Sequence, residues 1–358
     1  MDIKSVFSKL VSLGVADIFI VAGSPICYRS DKELQSLGDS SLSALDCKSA
    51  ISQIYQLAGR SQQHYLDSGD DDFSFAICGL SRFRVNAYRQ RGSDAAVLRV
   101  VPFELPDPSK LGIPPEVMAA AHYEHGLVLV TGPAGSGKST TLACIIDLIN
   151  HSRSGHIVTL ENPIEFLHCH DRCLVSQREV GIDSHDYSSA LRAILRESPD
   201  VILIGEMRDP QTIAVALTAA ETGHLVLSTL HTLGAAGSLD RLIDAFSADQ
   251  QEQVRMQLSQ ALQMVISQQL LEADGGGVVP AFEVMRTTPA IANLIREGRV
   301  HQLGAAIAQG AQEGMLSMDA SLAALYQSGC LSAKAVLQHA LSAENAARLT
   351  GLDYSPQI

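Results

Sequence analysis

Gly132-Pro133-Ala134-Gly135-Ser136-Gly137-Lys138-Ser139-Thr140 is the stretch that decides the fold class of this chain. It fills every fixed position of the pattern G-x-x-x-x-G-K-[ST]. The residues before it, 126–131 (GLVLVT), read as a buried strand, and 138–150 read as a helix. A strand that breaks into a glycine-rich loop and then opens a helix makes a phosphate cradle. Glycines let backbone N–H groups turn inward, and the helix N-terminus favours an anion. Lys138 brings a point charge to the β- and γ-phosphates, Ser139 offers its hydroxyl to Mg²⁺, and Thr140 lies at the start of the helix. The expected ligands are ATP and Mg²⁺, held by Gly132, Pro133, Gly135, Ser136, Gly137, Lys138, Ser139 and Thr140.

Outward from this loop, strand and helix patterns alternate. Strands are expected at 156–160, 201–204 and 225–229, and helices at 187–196 and 211–221, the last capped by Asp209 and opened by Pro210. Such alternation predicts an α/β core built on a mainly parallel sheet. Upstream, 5–15 has helical spacing and 18–21 reads as a strand. Segments 72–78 and 83–88 alternate like a hairpin around Gly79-Leu80-Ser81, and 96–101 is a further strand, which together suggest a small α+β domain over 1–101. Pro102, Pro106, Pro108, Gly112, Pro114 and Pro115 mark 102–115 as a linker. The core is expected over 116–274, with Gly275-Gly276-Gly277 as a flexible break and a helical region over 275–358.

The chain has 358 residues, which favours two domains. Hydrophobic residues make up 46% and charged residues 18%, a globular rather than a disordered composition. No run approaches the about 18 apolar residues of a membrane span, and the first residues lack the charge, apolar core and cleavage site of a signal peptide. Net charge is −13, and no Lys/Arg run offsets it, so nucleic acid is not an expected partner. Seven scattered cysteines suit reduced thiols better than a disulfide framework. The cluster His168-Cys169-His170-Asp171-Arg172-Cys173 holds ligand types for zinc, but structural zinc usually draws its pairs from two separated segments; a polar loop is the plainer reading.

Four further patterns bear on chemistry. Val201-Ile202-Leu203-Ile204-Gly205-Glu206 resembles a Walker B strand, which delivers its acid to the sheet edge where nucleotide binds; Glu206 could polarise water or hold the metal's water shell. Glu161 and Glu165, in Thr159–Glu165 (TLENPIE), could orient water or belong to an ordinary acidic turn. His224 and His231 bracket a buried strand; either could donate to a γ-phosphate oxygen, or both could be structural. Arg82, Arg84, Arg89, Arg91 and Arg99 are either solvated hairpin positions or arginine fingers, which would act most easily across a subunit boundary.

Together these residues resemble the type IV pilus retraction ATPases, the PilT-like members of the type II/IV secretion ATPase superfamily. The telling stretches are the phosphate loop, ENPIEF (161–166), CLVSQREVG (173–181), LRAILRESPDVILIGEMRDPQTI (191–213) and ALTAAETGHLVLSTLHT (216–232), with SRFRVNAYRQRG (81–92) and PAIANLIREGRV (289–300) on either side. The resemblance implies a PAS-like first domain, a RecA-like second domain and a homohexameric ring. It makes 159–165 the acidic box with Glu165 as catalytic carboxylate, Glu206 the Walker B glutamate, and His224 and His231 the histidine box. Arg82, Arg84 and Arg91 become neighbour-contacting arginines, and Ser139 and Glu206 hold Mg²⁺, partly through water. Asn162 stands where the family often has Asp, which implies tuning rather than loss of activity.

The implied function is a cytoplasmic ATP-hydrolysing motor that powers twitching motility. It would remove pilin at an inner-membrane platform protein, to which it is peripherally bound. An assembly or type II secretion ATPase is the nearest alternative, but such enzymes commonly carry a longer front region and a four-cysteine zinc element, and here only Cys330 lies beyond residue 173. A RecA-like nucleic-acid motor should show basic or aromatic strand-facing loops, which this Trp-free, acidic chain does not.

Overall fold

The computed structural model describes residues 2–30, 33–77, 79–101 and 105–352. They fall into two compact units, one within Met1–Glu104 plus Glu165–Leu167, the other within Leu105–Ile164 plus His168–Ile358.

The first unit runs α1 (Ile3–Ser12), β1 (Asp17–Ile20), β2 (Cys27–Ser30), β3 (Glu33–Ser36), α2 (Ala44–Leu57), α3 (Gln63–Ser68), β4 (Asp70–Ile77), β5 (Ser81–Gln90) and β6 (Ser93–Val101). Its antiparallel sheet has the order β3-β2-β1-β6-β5-β4. Along β5 the period of two buries Phe83, Val85 and Ala87 and turns Arg84 outward. Ile3, Phe7 and Leu10 of α1 and Ala50, Ile51 and Ile54 of α2 pack in the same core. Phe83 lies between Phe7 and Phe75, with ring centroids 4.8 and 5.3 Å away. The first helix begins earlier than its apolar spacing suggests because the Asp2 side chain caps it, accepting from the Lys4 N–H. The hairpin strands run longer than expected, and Cys78 lies outside the described residues. Between β5 and β6, Gln90 pairs with Ser93 and leaves Arg91 and Gly92 as a two-residue turn at φ 48° and 77°. Two successive positive φ angles match the right-handed twist of a hairpin.

The second unit opens with α4 (Pro115–Met118), β7 (Gly126–Thr131), α5 (Lys138–Ser152), β8 (Gly155–Glu161), β9 (Cys173–Glu179), α6 (Tyr187–Ile194) and β10 (Val201–Ile204). It continues through α7 (Pro210–Glu221), β11 (Leu225–Leu230), α8 (Ala235–Asp244), α9 (Gln251–Ala261), β12 (Leu262–Glu272) and β13 (Val278–Arg286). Helices α10 (Pro289–Arg296), α11 (Leu303–Gln309), α12 (Met318–Gln327), α13 (Ala333–His339) and α14 (Ala343–Thr350) complete it. The sheet order is β13-β12-β7-β11-β10-β8-β9, parallel except for the β12–β13 pair. Strands β7, β10 and β11 are buried throughout, as expected for a sheet covered on both faces. Helices α4 and α5 cover one face; α6 to α11 cover the other.

Two expectations are corrected here. From residue 105 the Pro/Gly-rich stretch belongs to the second unit: Ile113 is buried in its core, and the Cys144 thiol donates to the Pro106 carbonyl at 3.3 Å. Residues 102–104 lie outside the described residues. Gly275-Gly276-Gly277 is the turn between β12 and β13, so the sheet extends to Arg286 rather than ending at 274. Pro280 obscures that strand in the sequence, yet β13 is an edge strand, where a missing N–H is tolerated. Strand β9, which the sequence reading leaves without a strand assignment, follows the His168–Cys173 loop and is the opposite edge of the sheet.

Phe83→Ala is expected to destabilise the first unit by about 3–5 kcal/mol, since the ring is fully buried and stacked on both sides. Urea unfolding monitored by tyrosine fluorescence measures this.

Candidate active site

β7 lies inside the sheet, between β12 and β11, and its carboxyl end releases the phosphate loop. Gly132 follows at φ 143°, and a Cβ there would stand 2.1 Å from the Gln268 backbone oxygen and 2.7 Å from Ser136 Oγ. Gly137, at φ 87°, is the N-cap of α5, so Lys138 is its first helical residue. Pro133, Ala134 and Gly135 form the exposed crest, Ser136 and Lys138 are buried, and Ser139 and Thr140 are half-buried in the first turn. Gln268 braces the loop from β12: its Oε1 accepts from Thr141 Oγ1 at 2.7 Å. Thr131 Oγ1 and Ser136 Oγ are shut off from solvent with no hydrogen-bond partner. The Lys138 ammonium donates to the carbonyls of Gly132 and Pro133, both at 2.9 Å.

The carboxyl ends of β10 and β11 bring two more groups to the same edge. His231 Nδ1 is 3.4 Å from Lys138 Nζ, and its Nε2 is 3.3 Å from Glu206 Oε2. Arg208 Nη2 meets the same carboxylate oxygen at 2.7 Å. Burial pushes the Glu206 pKa up, but the Arg208 hydrogen bond and the charges of His231 and Arg208 together outweigh it and hold the carboxyl below its ordinary range. Lys138, His231, Glu206 and Arg208 thus form a continuous polar chain along the strand ends.

From β8, Glu161 accepts Thr159 Oγ1 at 2.7 Å and Gln177 Nε2 at 3.3 Å. Burial, then the charges of Glu161 and Glu206, push the Tyr187 hydroxyl up to about 12, so it stays protonated beside both acids. A Cβ on Gly205 would stand 3.1 Å from the Tyr187 hydroxyl and 3.3 Å from the Glu161 α-carbon, so any side chain at this strand exit would push its neighbours by a few tenths of an ångström.

The model for type II/IV secretion system proteins matches residues 2–312. The chain belongs to this family. Along 346 residues the secretion ATPase is 44% identical to the type IV pilus retraction ATPase PilT of Pseudomonas aeruginosa, covering 96% of this chain and all of that one. Over 346 residues it is 36% identical to the type IV pilus ATPase PilU of the same organism, covering 96% of this chain and 90% of that one. The crystal structure of the pilus retraction motor PilT with bound ADP superimposes with a TM-score of 0.88 at 41% identity, covering 97% and 99% of the two chains.

Of the residues singled out in the sequence, the second unit of the secretion ATPase brings together the phosphate loop, Glu206 and His231, with Glu161 on the neighbouring strand end. His224 does not join them. It precedes β11, whose six residues span about 20 Å, and its Nδ1 lies 3.0 Å from the Ala219 carbonyl at the opposite edge of the sheet. The pair therefore cannot act on one phosphate within a chain. Arg82, Arg84 and Arg91 belong to the first unit, the latter two exposed on its sheet and hairpin tip. Glu165 is exposed on the short segment that groups with that unit. The His168–Cys173 residues do not converge: Cys173 Sγ donates to the Arg153 carbonyl, His170 Nδ1 accepts the Val175 N–H, and Cys169 is exposed. His168 Nδ1 is enclosed without a hydrogen-bond partner, and desolvation pushes that imidazole down to about 4.

Sequence reasoning missed Gln268, Arg208 and Tyr187. A signal existed for the first, since Ser-Gln-Gln interrupts the apolar strand LQMVISQQLLE. Arg208 stands two residues beyond the Walker B acid. Nothing local marks Tyr187.

Arg208→Ala removes one of the two groups that hold the Glu206 carboxyl down and should raise its pKa. Glu206 would then protonate at higher pH, and the acidic limb of the pH–rate profile for phosphate release should move toward neutrality.

Proposed function

We propose that this ATPase is a homohexameric motor that powers type IV pilus retraction, and with it twitching motility, at the cytoplasmic face of the inner membrane. The observation that carries the chemistry is the Lys138–His231–Glu206 chain, which joins the first turn of α5 to the ends of β11 and β10 at one edge of the sheet. End-to-end similarity to PilT favours retraction over the other secretion tasks of the family. No helix among the described residues is long and apolar enough to cross a membrane; attachment to the membrane is assigned to the pilus platform protein.

The residues present suit a magnesium–triphosphate. Gly132 and Gly137, both at positive φ, let the loop close against Gln268, and Ser136 Oγ is an enclosed hydroxyl in want of a partner. The Ser139 hydroxyl and the Glu206 carboxylate supply the oxygen donors that Mg²⁺ prefers, the second through water. Bound magnesium would neutralise phosphate charge. Lys138 is the group that exchanges its carbonyl contacts for phosphate oxygens. Glu206, kept ionised, accepts a hydrogen bond from the attacking water and orients it. His231, between the two, is placed to register whether the γ-phosphate is present. Glu165, with Arg82, Arg84, Arg91 and His224, is assigned to the junctions between subunits, where guanidinium groups offset the charge of phosphoryl transfer.

Mg²⁺-dependent phosphate release by the purified protein should fall by at least about a hundredfold in Lys138→Ala and in Glu206→Ala. Equal rates in all three proteins would end this reading. In cells, deletion of the gene should leave surface fibres in excess and abolish twitching; loss of fibres would indicate assembly instead.

A further inference from the structure

The backbone that follows His231 is held from two neighbouring strands. The Gly234 N–H donates to Ser267 Oγ at 2.8 Å, and the Ala235 N–H donates to Glu283 Oε1 at 2.7 Å. Ser267 of β12 and Glu283 of β13 are directly opposed in the sheet register, so both side chains leave the same face and take consecutive amides at the start of α8. Both are buried, Ser267 completely and Glu283 to 3% exposure. The next residue of β12, Gln268, points to the other face and braces the phosphate loop through Thr141. One strand therefore serves the phosphate loop on one side and the His231 loop on the other. β13 also pairs with the approach to α12, where Val284 exchanges backbone hydrogen bonds with Leu316 at 2.7 and 2.9 Å.

We propose that Glu283 is a positioning residue for hydrolysis: it fixes the 232–235 segment so that the His231 imidazole stays between Lys138 and Glu206, and it couples that segment to the carboxyl-terminal helices. The proposal rests on the role given to His231 above. Burial pushes the Glu283 pKa up, while hydrogen bonds from the Ala235 and Met318 amides pull it back. A buried carboxylate is costly to keep, and here its hydrogen-bond acceptors serve the first turn of α8. Removing the acceptor leaves the Ala235 N–H buried without a partner. The resulting shift would act on His231 and leave the phosphate loop in place, because Gln268 holds that loop from the opposite face.

The test separates turnover from binding. In the full-length protein, kcat for phosphate release and the Kd for a fluorescent ADP are measured for Glu283→Leu, Glu283→Gln, His231→Ala and the Glu283→Leu/His231→Ala double variant. Glu283→Leu should lower kcat about tenfold with Kd changed less than about twofold. Glu283→Gln keeps an oxygen for the Ala235 N–H and should retain kcat within about threefold. The double variant should turn over no more slowly than His231→Ala alone, because the two residues act as a unit. If Glu283→Leu does not fold, Ser267→Ala removes the adjacent acceptor with less disturbance and should show the same split, with a smaller loss of kcat. Multiplying losses in the double variant, or a Kd that worsens in step with kcat, would overturn the assignment. Wild-type turnover by His231→Ala would instead remove the role given to His231, and the proposal with it.

Discussion

The Gly132 α-carbon passes so close to the Gln268 carbonyl that a single methyl group there would overlap the backbone. This approach fixes the relation between β7 and β12 at the point where the phosphate loop begins. Glycine is required both for the clearance and for the φ of 143°. Once that contact is set, Ser136 turns inward, Gly137 can open α5, and Thr141 meets the Gln268 side chain. The loop's shape is thus imposed from behind, by a strand more than a hundred residues downstream, as well as by its own glycines.

Electrostatic order in the site follows from the same parallel sheet. β10 and β11 deliver an acid and an imidazole to the edge where the loop after β7 returns Lys138 at the start of α5, so the three become neighbours without any of them being adjacent in sequence. Burial alone would favour a protonated Glu206; Arg208 and His231 reverse that preference. The acid is therefore ionised before nucleotide arrives, and the protein carries the cost of its desolvation in advance, which is what preorganisation means for an electrostatic site.

The second unit was largely legible because its strands are short apolar runs closed by glycine, acid or histidine: 126–131 and 201–204 coincide with β7 and β10. What escaped was less patterned. β13 carries Pro280 and follows three glycines, and only its edge position makes that sequence a strand. α8 and α9 gave no separate signal between β11 and β12. At the site, Glu206 and Lys138 were evident from motif, since local spacing reports what one loop can hold. Gln268 and Tyr187 reach the site from distant segments, and no local pattern encodes such a meeting. The equal weight given to two histidines shows the same limit. The residues between them read correctly as a buried strand, and it is the length of that strand that separates the rings.

That β7, β10 and β11 are sealed between two helical layers has a mechanical corollary. Their interlocked side chains resist sliding, since any slip would open voids on both faces at once. The sheet is in that sense an anvil, a body that close packing on both faces keeps from shearing. Displacement is easier in the turns that follow each strand, which lack that packing on two sides, than within the strands themselves.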